Sequence, residues 1–220
     1  VILMKNILKI GIPVAFQDGF IQISFIIITI IANRRGLDDA AAVGIVEKLI
    51  GILFLVPSSL LSTVSVISAQ NLGAGKPERA KATLRYATII NVSIGIVSAV
   101  SMQFFAEGAV GLFTSDTNVI LYGGEYMRSY VWDCILAGVH FCFSGYFCAC
   151  GKSGISFLHN FLSIVLARVP IAYFASKMFA DTLFPMGFAA PIGSVLSVII
   201  CVIAYIVINK KSKSSKAVSA

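Results

Sequence analysis

Long apolar blocks separated by short polar segments run through almost the whole sequence. Six of them predict membrane-spanning helices, at 10–31, 40–68, 83–106, 118–147, 156–178 and 187–208. Each block has about 20 residues or more, the length that an α-helix needs to cross a bilayer, and is too long and too continuously apolar for a barrel strand. Open strands would leave backbone groups unpaired in lipid. The pattern therefore predicts an all-α integral membrane protein, with one six-helix transmembrane unit at 1–208 and a basic cytoplasmic tail at 209–220.

The composition supports this prediction and excludes a soluble domain. Apolar residues make up 58% of the chain and charged residues 12%, with a mean hydropathy of +0.92, far from the values of soluble globular proteins. A net charge of +7 would suit a nucleic-acid partner, but the Lys and Arg residues cluster where apolar blocks end. We therefore expect the lipid bilayer as the partner, and no nucleic acid.

The basic residues also predict the orientation of the chain. One set of block ends carries Lys5, Lys9, Lys76, Arg79, Lys81, Arg85, Lys152, Lys210, Lys211, Lys213 and Lys216, whereas the other carries Arg34, Arg35 and Lys177. Because basic residues concentrate on the cytoplasmic side of membrane proteins, both termini are predicted to be cytoplasmic. The expected location is the plasma membrane of a prokaryote, crossed several times.

Three acidic residues lie within the predicted spans: Asp18, Glu47 and Asp133. An ionisable side chain near the bilayer centre costs at least about 2.5 to 3.5 kcal/mol on insertion scales, so it is a functional candidate by default. By helical rise, Asp18 and Asp133 lie at similar depth. Glu47 lies nearer the outer boundary, beside Lys48, where a structural role is favoured.

Other polar and aromatic residues share helical faces with these acids or border them. They are Gln17 and Gln22 near Asp18, and Tyr126, Tyr130, Trp132 and His140 near Asp133. One interpretation is that such faces hold neighbouring helices together by hydrogen bonds. The other is that they line an ion or substrate pathway, which we favour for Asp133. Taken alone, His140 is more typical of a core histidine.

Motifs of catalysis are absent from the sequence. It contains no H-E-x-x-H, G-x-S-x-G, P-loop or G-x-G-x-x-G pattern, so neither an enzyme nor a cofactor is expected. The cysteines lack zinc-ligand spacing, and no structural metal is predicted. Two prolines inside spans, Pro57 and Pro170, are expected to bend their helices and are candidate hinges.

The loop after the second span resembles a segment of a known protein family. The segment Ala69 to Ala80, which contains Gln70, Asn71, Gly73 and Gly75, resembles a cytoplasmic loop of the multidrug and toxic compound extrusion (MATE) family. Further matches follow in order along nearly the whole chain: Gly11-Ile12-Pro13, Pro57, Leu112-Phe113 and Arg168-Val169-Pro170.

The resemblance implies a fold and a function. Members of the family have twelve helices in two six-helix lobes, and they expel organic cations in exchange for H+ or Na+. This chain resembles the second, C-terminal lobe, so the expected partners are the missing N-terminal lobe and amphipathic organic cations. The chain starts at Val1 rather than Met, and we expect it to be part of a longer protein.

The same resemblance implies roles for individual residues. Carboxylates of the first and fourth helices of this lobe have been implicated in cation binding in some members, which points to Asp133 and, near the expected position, Asp18 as transient Na+ or drug ligands. The neighbouring Tyr126, Tyr130 and Trp132 would supply apolar and cation–π contact.

Two alternatives remain open. A lipid-linked precursor flippase of the same superfamily would need a cationic cavity, whereas the charges within these spans are mostly acidic, with Arg168 as the main exception. A structural or channel-like membrane module would need no titratable acid in the membrane, and it predicts that Asp133→Asn has no effect.

Overall fold

The fold is a bundle of helices, known from a computed structural model that describes residues 2–218 and the side chains of 4, 8 and 11–210. Every regular element in this part of the chain is helical. The α-helices are α1 (Ile2–Asn33), α2 (Leu37–Leu53), α3 (Leu55–Gly73), α4 (Pro77–Gly111), α5 (Thr117–Tyr130), α6 (Asp133–Ala149), α7 (Ser153–Ser163), α8 (Val169–Met178), α9 (Phe184–Gly187) and α10 (Ala189–Val218). A π-helical segment, Ile164–Arg168, joins α7 to α8.

In the described part of the chain, four helices are long and apolar enough to cross a membrane, and the passages number six when each of two bent helix pairs is counted as one span. Four are continuous, and the other two are the bent pairs α2–α3 and α5–α6. Each predicted span lies within one of these six passages. Within the predicted tail, the backbone of α10 is helical as far as Val218. The side chains of Lys211, Lys213 and Lys216 in that tail, and those of Lys5 and Lys9, lie outside the described residues.

The α2–α3 pair bends by 40° at Phe54, three residues before Pro57. A proline has no N–H to donate to the carbonyl four residues earlier, here that of Leu53, so the helix is weakened at the observed bend. The use of this bend as a hinge stays a prediction.

Pro170 lies beside a different irregularity. The turn before it widens into the π-helical segment, in which the N–H of Val169 bonds to the carbonyl of Ile164. The passage from Ser153 to Met178 remains one continuous span. Such widened turns occur often at functional sites, and this one ends at Arg168.

The α5–α6 pair bends by 46° at residues 131–132, where the sequence has no proline. The carbonyl of Arg128 accepts a hydrogen bond from Gln103 Nε2 of α4 at 2.9 Å, and Arg128 Nε donates to the Gln103 carbonyl at 3.2 Å. Beyond the bend, the N–H of Cys134 bonds to a carbonyl three residues back. The tightened turn places Asp133 at the start of α6.

The buried interior has two apolar clusters with a polar layer between them. One cluster surrounds Ile50, Tyr126 and Leu183, and the other surrounds Val64 and Phe147. Along α6 and α10, the positions between these clusters carry the polar residues His140, Ser194 and Ser197, and Asp133 is buried beside the first cluster at the start of α6. Buried polar side chains need hydrogen-bond partners, so this layer is the candidate location of a binding site.

Candidate functional site

A cavity of about 740 Å³ opens in the polar layer. Residues from α1, α2, α3, α6, α7, the π-helical segment and α10 line it. The polar ones are Asp18, Gln22, Glu47, Lys48, Ser58, Asp133, His140, Asn160, Ser163, Arg168 and Ser194. The three acids that the sequence placed on three separate helices therefore meet around one cavity, as do Gln22 and His140.

The carboxylates of Glu47 and Asp133 are only partly satisfied. Glu47 Oε2 accepts a hydrogen bond from Thr29 Oγ1 at 3.1 Å, whereas its Oε1 is buried without a hydrogen-bond partner, as is Oδ1 of Asp133. A buried acceptor without a partner costs about 1 to 3 kcal/mol, and more when it is charged. Both carboxylates are thus suited to bind a cation that enters the cavity. Asp18 is exposed on the cavity wall.

Arg168 lines the cavity but was not among the predicted site residues. Its side chain is buried, with the residue 8% exposed, and its guanidinium donates a hydrogen bond to the Tyr130 hydroxyl. The same group lies over the Phe25 ring, 4.6 Å from the centroid. Its Nε has no hydrogen-bond partner. The signal for it was present in the sequence, as a basic residue inside a span and two positions before Pro170.

Three aromatic residues predicted for the ion or substrate pathway lie outside the lining of this cavity. Tyr126 and Tyr130 are buried and pack against each other, with centroids 5.6 Å apart, and neither lines the cavity. Trp132 is 41% exposed and also lies outside the lining. The prediction extrapolated a straight helix through the bend at 131–132. The aromatic rings that do line the cavity are those of Phe25, Phe54 and Phe141.

Gln17 is likewise absent from the lining. Its side chain is buried and accepts a hydrogen bond from Ser156 Oγ at 2.6 Å, so it joins α1 to α7. Its neighbours along the helix, Asp18 and Gln22, are exposed on the cavity wall, because a step of one residue turns the side chain by about 100°.

The family loop ends a helix, away from the cavity. Gln70, Asn71 and Gly73 lie in the last turn of α3, and the side chain of Asn71 donates to the Ile67 carbonyl at 2.8 Å. Gly75 has a φ of +70°, a conformation that favours glycine, and the next N–H turns back to the Asn71 carbonyl at 2.8 Å. This closes the helix and starts α4 at Pro77.

Comparison with known proteins identifies the family. The MatE family model matches residues 13–174. This chain belongs to the MATE family. Its members are transporters rather than enzymes and need no cofactor. With its apolar helices, the chain is accordingly a multi-pass membrane protein.

Proteins similar to this chain are named as multidrug resistance or transport proteins. It is 24% identical over 62% of its length to the probable multidrug resistance protein YoeA of Bacillus subtilis (29% of that protein). It is 29% identical over 73% of its length to the FAD transporter of Shewanella oneidensis (35% of that protein). The chain thus spans about a third of the length of these curated relatives.

Solved MATE structures share the fold. One, a crystal structure of a MATE protein in complex with MaL6, superposes with a TM-score of 0.87 at 17% identity, over 96% of this chain and 48% of that one. Another is a transporter of the MOP superfamily from Pyrococcus furiosus, with a TM-score of 0.81 at 15% identity, over 90% and 43%. This chain is therefore an all-α membrane lobe about half the length of those transporters.

Proposed function

We propose that this chain is the C-terminal half of a secondary active exporter that exchanges amphipathic organic cations for H+ or Na+. The observation that best supports this proposal is the cavity of about 740 Å³, which is lined by Asp18, Glu47 and Asp133 from three different passages. Membership of a transporter family supports transport, and the name of a multidrug-resistance relative supports drug-like substrates.

The chemistry of the cavity suits an exchange of cations. Phe25, Phe54 and Phe141 provide apolar surface for a flat hydrophobic ion, and the unpartnered oxygens of Glu47 and Asp133 provide the counter-charge. A proton or Na+ that neutralises a carboxylate removes the attraction for an organic cation, so the two compete for the same group. Competition for one site couples the two fluxes.

The proposed partner is an N-terminal lobe in the same transporter. Alternating access needs two bodies that move about a shared site near the bilayer midplane, and this chain supplies one six-passage lobe. We place both of its ends and the loops 74–76 and 150–152 on the cytoplasmic side of a prokaryotic plasma membrane, since most basic residues are found there.

A second candidate function is the export of an amphipathic anion. The buried guanidinium of Arg168 lies on the cavity wall with an unpartnered Nε, and a relative is named as an FAD transporter. Arg168 and Lys48 face three acids around the cavity, so the lining favours a cation over an anion. The same charges argue against a lipid-linked precursor flippase, which would need a cationic cavity.

The test compares ethidium and flavin export by the assembled transporter in an efflux-deficient host. We expect Asp133→Asn and Asp18→Asn to slow ethidium export and Arg168→Gln to leave most of it intact. Asp181→Asn, in the loop between α8 and α9, is the matched control for removal of an acid outside the cavity. Wild-type ethidium export by both acid variants, with an unchanged response to pH and sodium, would refute the assignment. Loss of flavin export in Arg168→Gln alone would favour the second candidate.

A further inference from the structure

The two histidines of the chain, His140 and His159, meet in the buried polar layer. Their rings contact edge to face, with centroids 5.6 Å apart, although 19 positions separate them in the sequence. Both are buried. Imidazoles are costly to place in the interior of a membrane protein and usually mark a functional path, and the proposed cation site does not by itself require a second histidine behind the cavity wall.

A hydrogen-bonded connection leads from the cavity to this pair. His140 lines the cavity, and its Nε2 lies 3.4 Å from the hydroxyl of Ser194. Ser194 and Asp133 line the same cavity, so Ser194 connects the cavity that holds the buried acid with the first imidazole. Nδ1 of His140 has no hydrogen-bond partner.

The bonds of His159 determine which of its ring nitrogens carries the proton. Nδ1 lies 3.2 Å from Ser197 Oγ, and that hydroxyl donates its single proton to the His159 carbonyl. Nδ1 must therefore be the donor to Ser197. The other nitrogen, Nε2, is then the acceptor for the hydroxyl of Ser144, at 2.8 Å. In this arrangement His159 is neutral and has a nitrogen able to take up a proton.

Polar groups continue from His159 toward the loop at 150–152. Ser153, Ser156 and His159 recur at a spacing of three residues, so they share one inward face of α7. Ser156 donates to Gln17 at 2.6 Å. From Asp133 to Ser144 the helical rise is about 16 Å, and from His159 to Ser153 about 9 Å. The polar path thus runs from the cavity to the loop end of the lobe.

We propose that His140 and His159 bind and pass the coupling ion of this transporter, and that this ion is the proton. The proposal rests on the proposed function as an ion-coupled exporter. Imidazole is the side chain that gains and loses a proton near neutral pH, whereas hard metal cations prefer oxygen ligands. The proton leaves the Asp133 carboxyl through Ser194, is accepted by a ring nitrogen of His140, passes to Nε2 of His159 and is released at the loop end.

The surrounding charges couple this path to the cavity. Asp133 on α6, Asp18 on α1 and Glu47 on α2 favour a positive imidazolium, whereas Lys48 and Arg168 oppose it. Between their ends, α3, α7 and α10 contribute no charged residue beside the pair. Of the other titratable groups on α6 and α10, Cys134 lies next to Asp133, whereas Cys142, Tyr146, Cys148, Cys201 and Tyr205 lie toward the loop. An organic cation in the cavity opposes the imidazolium as Arg168 does. Its binding therefore expels a proton along the path.

The test measures proton release when tetraphenylphosphonium is added to the assembled transporter, purified in detergent and weakly buffered near pH 7. Linkage requires that a ligand that competes with protons releases them on binding. We expect the wild-type protein to release protons when it binds the probe. The double variant His140→Gln/His159→Gln should still bind the probe but release less than half as many protons. Ser144→Ala, which removes the partner of His159, should shift the pH dependence of release.

Ser129→Ala is the matched control for Ser144→Ala. Both hydroxyls are fully buried and lie in the α5–α6 pair, but Ser129 bonds only to carbonyls of its own helix. Ser129→Ala should leave the pH dependence of proton release unchanged.

The outcomes separate this proposal from the one it rests on. A wild-type protein that binds and moves the probe with Na+ but releases no proton overturns the histidine path and leaves the exporter intact. Unchanged release from the double variant overturns it as well. A protein that neither binds nor moves any organic cation overturns the exporter itself. If the double variant does not fold, ¹⁵N-histidine NMR of the wild-type protein decides, because histidine signals that do not respond to the probe overturn the path.

Discussion

Gly145 is a position where a single added methyl group should measurably weaken this fold. A Cβ at Gly145 would collide with the carbonyl oxygen of Leu61 on α3 and would lie 3.2 Å from the backbone nitrogen of Ser65. These are backbone atoms, which cannot rotate away as a side chain can. In Gly145→Ala, α3 and α6 must therefore move apart over their shared contact.

The expected size of this effect follows from the packing. Forcing an extra carbon into a well-packed contact costs about 1 to 3 kcal/mol, and a gap of even ~0.5 to 1 Å forfeits a quarter to a half of the dispersion energy across it. For a chain of this size, about 1 kcal/mol corresponds to roughly 2 to 4 °C in melting temperature. Gly145→Ala should therefore lower the melting temperature by about 2 to 12 °C.

The assay is thermal unfolding of the detergent-purified transporter, followed by intrinsic fluorescence. Gly108→Ala is the matched control, since Gly108 lies in α4 and an added Cβ would have nothing within 4 Å. The control should be neutral or slightly stabilising because alanine favours helix over glycine. Equal melting temperatures for the two variants would refute the close approach of α3 and α6.

Three further predictions concern the ends and the bends of the helices. Asp116→Ala removes the cap of α5, whose carboxylate accepts from the N–H of Asn118 at 2.9 Å, and should cost about 1 kcal/mol in thermal unfolding; an unchanged melting temperature would contradict it. Arg35→Lys loses a guanidinium that bonds to four carbonyls between Ser176 and Thr182, so hydrogen exchange in 179–183 should accelerate about tenfold for each ~1.4 kcal/mol lost; unaltered exchange would oppose this. Pro57→Ala restores an N–H near the 40° bend and should raise stability while slowing ethidium export; equally fast export would exclude the hinge.

The helices could be predicted because they follow from a strong and local signal. Apolar blocks of bilayer length fix where the chain must be helical, and the proline at 57 lies close to an observed bend. The bend at 131–132 was missed because it depends on Gln103, which contacts the Arg128 backbone from another helix. Contacts between residues 25 positions apart leave no mark on local periodicity.

The acidic residues of the candidate site could be predicted from the sequence, whereas the aromatic side chains that line the cavity could not. Asp18, Glu47 and Asp133 could be found one by one, because charge within a span is rare whatever the packing. The placement of Tyr130 and Trp132 depended on the phase of a helix that is interrupted beside them. The meeting of His140 with His159 depends on how α6 and α7 pack, which one sequence does not show.

The irregular turns of the lobe share one level. The break at Phe54, the tight turn before Asp133 and the π-helical segment that ends at Arg168 all border the cavity, and the first two lie beside the first apolar cluster. A ligand in the cavity can therefore contact all three interrupted helices at once. Because each interruption weakens the regular hydrogen bonding of its helix, we expect a bound ligand to stiffen the lobe at this level.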